Sequence, residues 1–186
     1  MSVEETIQGD AELFNLIDRQ YFPENTGSQS IEFTDLTGDD TFMYKLRYHL
    51  YIHPDGSNRN IKIQFNNDTA THYSGGESYY GSTTGGTTFS AGGGKIARTF
   101  SNINCRINGI GYIYPQVTDN GDYRGYKTEF LLESSTTQQY EVKMFGHWQN
   151  TTDEITTITI YSTDGTGSGY WLSNSWVELF KLAPMI

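Results

Sequence analysis

The run MYKLRYHLYIH, residues 43–53, constrains the fold more than any other stretch. Tyr44, Leu46, Tyr48, Leu50 and Ile52 fall on one parity, and Lys45, Arg47, His49, Tyr51 and His53 on the other. A period of two puts these sets on opposite faces of a strand, one buried and one wet. After HPDGSNRN, whose Pro presets a turn φ and whose Gly accepts φ > 0, Ile61, Ile63 and Phe65 alternate with Lys62 and Gln64. The two runs read as a hairpin.

The rest of the chain repeats the theme in shorter pieces. IEFTDL (31–36), YKTEFLLES (126–134), YEVKMFGHW (140–148), ITTITIYS (155–162) and WVELFKL (176–182) read as strands separated by polar turns. In YEVKMFGHW, Tyr140, Val142, Met144 and Trp148 share a face. Between Lys95 and Tyr114 the apolar parity changes: Ile103, Cys105 and Ile107 hold one, then Ile110, Tyr112 and Tyr114 the other. The change at Asn108-Gly109 predicts a bulge or tight bend. Residues 75–95 are glycine-rich and read as a long loop or a pair of weak strands. About eight strands without intervening helices predict an all-β, antiparallel β-sandwich.

Residues 1–30 differ. In DAELFNLIDRQYF, Asp10 suits an N-cap and Leu13, Leu16 and Ile17 have i, i+3, i+4 spacing, so a short amphipathic helix or an extended segment is expected. Such a helix is marginal alone and has to dock. Residues 1–30 therefore read as an attachment segment and 31–186 as the sandwich. Leu13, Phe14, Leu16 and Ile17 are the expected assembly contact.

Composition narrows the partners. A net charge of −10 with a sequence pI near 4.7 argues against a nucleic-acid backbone or an anionic membrane. No apolar run approaches the ~20 residues of a membrane span. MSVEETIQGD has no apolar core of the kind a secretion signal carries. Cys105 is the lone cysteine and reads as a small core residue.

Chemistry is sparse. His49 and His53 share a face but lie about 13 Å apart along a strand, too far for one metal. Asp119-Asn120-Gly121-Asp122 reads as an Asn-Gly turn before it reads as a calcium loop. Glu129 and Glu133 share a face, yet only a fold can bring carboxylates to glycosidase separation. No nucleophile elbow or phosphate-binding loop occurs. The expectation is no catalysis, no metal and no cofactor. Exposed rings on glycine-rich stretches, Tyr79, Tyr80, Tyr170 and Trp171, are the ligand-binding candidates, able to stack on sugars or enter a protein interface.

One stretch carries a likeness. KLRYHLYIHPDGSNRNIKIQFNNDTATHYSGG, with Gln64-Phe65-Asn66-Asn67-Asp68-Thr69 and then Tyr73, resembles a segment of tailed-bacteriophage virion proteins, as does the ending ITTITIYSTDGTGSGYWLSNSWVELFKL. Asn66, Asn67 and Asp68 read on their own as residues that shape a sheet corner. The resemblance covers about 32–182. It implies a jelly-roll module of a tail fibre, head fibre or capsid decoration, located in the virion after assembly in the host cytoplasm. Its partners would be other virion proteins, further copies of itself and a host surface glycan. A carbohydrate-binding module is the alternative, and a glycan-degrading enzyme a more distant one.

Overall fold

The computed structural model describes residues 14–22, 30–38, 41–53, 60–70, 72–80, 87–90, 92–99, 104–116, 124–134, 138–150, 152–163, 170–171 and 174–182. Within them thirteen strands follow in chain order. The first six are β1 (Asn15–Tyr21), β2 (Ser30–Phe33), β3 (Met43–His53), β4 (Asn60–Phe65), β5 (Tyr73–Tyr80) and β6 (Thr87–Ser90). Then come β7 (Gly94–Arg98), β8 (Cys105–Tyr114), β9 (Arg124–Ser134), β10 (Gln138–Trp148), β11 (Ile158–Thr163), β12 (Tyr170–Trp171) and β13 (Trp176–Leu182). The larger sheet has the order β1-β13-β3-β8-β9-β10-β5-β6, with β12 also on β3; the smaller is β2-β11-β4-β7. Every pairing is antiparallel. The expected all-β sandwich is the observed architecture, and this strand order, rather than the name jelly roll, describes its connectivity.

Burial follows parity. Tyr44, Leu46, Tyr48, Leu50 and Ile52 of β3 are buried, as are Ile61, Ile63 and Phe65 of β4. They meet in one core with Tyr126, Phe130 and Leu132 of β9 and Val142, Met144 and Trp148 of β10. Each such side chain contributes roughly 1.5–3 kcal/mol by leaving water. Cys105 lies in that core. The sheets are also tied by polar bonds: Tyr48 and Thr128 both donate to the Ile96 carbonyl, at 3.4 and 2.7 Å. At one edge Glu77 of β5 is buried against Lys95 and Arg98 of β7, at 3.5 and 3.0 Å.

Two expectations need correction, and a third, left between two forms, is decided. β3 and β4 are no hairpin, because they lie in different sheets. Both edges of β3 are taken, by β13 and β8, and β4 pairs instead with β11 and β7 of the smaller sheet. Residues 15–21 take the extended one of the two expected forms, as a strand. The open edge of β13 offers main-chain hydrogen bonds that a marginal helix would forgo, and a register shift between Leu16 and Asp18 absorbs the irregular spacing. Finally, β8 has no bulge: its register with β3 and β9 is unbroken from Cys105 to Ile113. Gly109 and Gly111 keep the inner parity, and a Cβ at Gly109 would collide with the Tyr48 ring. Ile110, Tyr112 and Tyr114 therefore point outward, away from the core. The glycine-rich stretch 75–95 holds most of β5, all of β6 and the start of β7, and its residues 81–86 and 91 lie outside the described set.

Candidate binding surface on the larger sheet

The outer face of the larger sheet is built from the polar parity of β3 and from residues opposite it. Cross-strand register aligns Arg19, Glu178, Arg47, Ile110, Glu129 and Lys143 in one row from β1 to β10. The next row is Tyr21, Trp176, His49, Asn108, Leu131 and Glu141. Large apolar side chains stand in water here: Ile110 is 41% exposed, Leu131 39% and Phe145 52%. A depression of about 550 Å³ lies over the two rows. Ile110 and Leu131 occupy its middle strands, with Arg47, Trp176 and Asn108 on one side and Glu129 and Glu141 on the other.

Each rim is held by its own contacts. Glu178 is buried and takes Arg19 by ion pair, with Arg19 Nε donating at 2.7 Å, while Arg47 Nε lies 3.4 Å from its other oxygen. Hydrogen bonds to Tyr21 and Glu178 hold the Arg19 guanidinium above its ordinary range. Arg19 and Arg47 lie 5.3 and 5.9 Å from the Trp176 ring centroid, and His49 stacks against that ring at 6.2 Å. His49 Nδ1 is 2.6 Å from Asn108 Oδ1. On the far rim Lys143 lies 3.6 Å from both Glu129 and Glu141, and chiefly the Glu129 charge raises its pKa. Aromatic rings, fixed donors and fixed acceptors around an apolar floor form a surface that can hold a ligand with both apolar and hydroxyl faces.

Comparisons with known proteins add the following. No family model and no curated protein matches the chain. Among solved structures, CG-16, a homodimeric agglutinin from chicken liver, aligns with a TM-score of 0.32 at 10% identity, covering 81% of this chain and 99% of that one.

The aromatics expected to bind ligand are not gathered into one site. Tyr79 and Tyr80 end β5 and pair with Val142 and Glu141 of β10. Tyr170 and Trp171 form β12 and pair with His53 and Ile52 of β3. With β8 and β9 between β3 and β10, the two pairs are separated by about 20–25 Å of sheet. Of the expected assembly residues, Leu13 lies outside the described set. Phe14 lies 4.9 Å from Lys45 Nζ, and Leu16 and Ile17 are exposed on β1. Among the described residues no group of three or more His, Cys, Asp or Glu could hold a metal. Residues 119–122 fall outside the described set. Trp176, Arg47, Asn108 and Ile110 were missed as site residues. The available signal was an apolar residue on a wet parity, Ile110.

The Gln64–Thr69 motif is internal wiring. Asn66 and Asn67 are both left-handed, at φ 50° and 55°, a conformation that asparagine tolerates better than most residues. The Asn66 side-chain oxygen accepts from Thr156 N and Thr157 N, and its Nδ2 donates to Glu154 O. Asp68 accepts from Trp148 Nε1 at 2.7 Å, Ala70 N at 2.9 Å and His72 Nδ1 at 2.8 Å. Burial pushes the Asp68 carboxyl up, but these hydrogen bonds outweigh it and hold the pKa below its ordinary value. A second depression, of about 360 Å³ on the smaller sheet, borders this corner. Its Gln64, Thr159 and Tyr161 side chains already bond to Asp68 O, Asn67 Oδ1 and Gly92 O, which leaves fewer groups for a ligand.

Proposed function

We propose that the chain is a non-enzymatic binding protein of a phage particle and that it binds a glycan through the outer face of its larger sheet. The observation that carries the binding role is the depression beside Trp176, where exposed aliphatic side chains adjoin an aromatic ring and a rim of fixed polar groups. A sugar ring needs just these: a flat apolar contact for its C–H face and oriented partners for its hydroxyls. The sequence likeness supports the virion setting, with other virion proteins and further copies of the chain as neighbours. Repetition on a particle would raise the avidity of a weak site. Glycoside hydrolysis uses two carboxyl groups facing each other across the scissile bond; Glu129 and Glu141 instead share the cation Lys143.

The test is a panel of immobilised oligosaccharides probed with the wild-type protein and with Trp176→Ala. Retention of a subset of glycans by wild type, lost in the folded variant, is the expected result. Equal retention by both would remove Trp176 and its depression from the account. Quantitative mass spectrometry of purified particles tests the setting. Hundreds of copies indicate a shell protein, a few to a few tens a tail or fibre component, and none rejects the virion reading.

A further inference from the structure

Charge on the two rims gives the surface a direction. Glu178 is buried and holds two guanidiniums, those of Arg19 and Arg47, so this rim carries an excess positive charge on a chain whose net charge is −10. Arg19 directs both Nε and Nη2 to one Glu178 oxygen. Arg47 reaches the other oxygen only as an ion pair, its Nε at 3.4 Å without a hydrogen bond, its side chain is half exposed, and its terminal nitrogens make no hydrogen bond among the described residues. Arg47 lines the depression, and its guanidinium carbon lies 5.9 Å from the Trp176 ring centroid. The far rim is the reverse: Glu129 and Glu141 outnumber the one cation, Lys143, that lies 3.6 Å from both, and their oxygens accept hydrogen bonds and repel anions. Between β3, which carries Arg47, and β9, which carries Glu129, there are two strand steps, about 10 Å.

We propose that the ligand of this surface is an acidic saccharide, bound with its carboxylate on Arg47 and its neutral, hydroxyl-bearing end toward Glu129 and Glu141. This deepens the glycan reading above and rests on it. A guanidinium offers two parallel N–H donors matched to a carboxylate, and a charge-assisted pair of this kind is about twice as strong as a neutral hydrogen bond. Trp176 fixes the ring beside the carboxylate, and the carboxylates of Glu129 and Glu141 disfavour the reversed pose. Buried Glu178 is a positioning residue: it sets where Arg47 stands without touching the ligand.

Matched pairs of oligosaccharides test the proposal, each uronic-acid form against its carboxyl-reduced neutral counterpart, by titration calorimetry with the full chain. Wild type should bind the acid form at least about tenfold more tightly, and the preference should shrink as salt rises, since screening weakens an exposed charge pair. Arg47→Gln should bring the two forms to within about twofold of each other. Arg47→Lys, which keeps the charge but not the fork, should retain part of the preference; thermal melts confirm that both variants fold. Equal binding of the two forms by wild type, or an undiminished preference in Arg47→Gln, would overturn the charge-directed pose while leaving a neutral-glycan site standing. If wild type binds neither form, the glycan reading itself fails.

Discussion

Asp68 shows how much one side chain at a sheet corner can hold. It closes the indole N–H of Trp148, orients His72 and caps the turn at Ala70. Trp148 is buried, so removing its acceptor leaves a donor without a partner, and Asp68→Ala should cost about 2–3 kcal/mol in urea denaturation at neutral pH. The sign of the pH dependence follows from the depressed carboxyl. Its folded pKa lies below the unfolded value of about 3.9, so this stabilisation is complete above about pH 4 and is lost as pH falls through the folded pKa. Wild-type and Asp68→Ala stabilities should therefore converge on acidification; a constant gap down to pH 2 would contradict the linkage. The turn-forming character of Asn66, Asn67 and Asp68 was legible in the sequence because their side chains act locally. Trp148 as the partner was not, since the two residues are 80 positions apart.

At the scale of elements, parity shows which face a residue takes and is silent about which strand it pairs with. That is why β3 was read correctly on both faces yet joined to the wrong neighbour. The same blindness turned Ile110, Tyr112 and Tyr114 into a supposed bulge, because an apolar residue on a strand was assumed to belong to the core. β1 carries a different lesson. Its helical spacing was real, but a lone ten-residue helix is marginal in water, and the free edge of β13 gives the segment a partner as a strand. β1 also brings Arg19 to buried Glu178 and leads to Phe22, which is buried and donates its N–H to Ser175 O at 2.9 Å. Deleting residues 1–22 should accordingly lower the melting temperature markedly. A melting temperature equal to that of the full chain would mean that β1 contributes little to the sandwich.

The molecule as a whole has two unlike outer faces. The smaller sheet turns amides and hydroxyls outward and bonds them to its own corner. The larger sheet exposes apolar and aromatic residues between an arginine rim and a glutamate rim. The sandwich itself was legible from alternation and turn residues. The site was not, because it is made of residues from β3, β8, β9, β10 and β13 that only the strand order places side by side. The measurement that tests the central claim most directly is an NMR titration of the isotope-labelled chain with the tightest-binding uronic-acid oligosaccharide from the matched pairs. The account predicts shift changes concentrated at Arg47, Asn108, Ile110, Glu129 and the Trp176 indole. Changes confined to Tyr79, Tyr80, Tyr170 and Trp171, or to the smaller sheet, would contradict it.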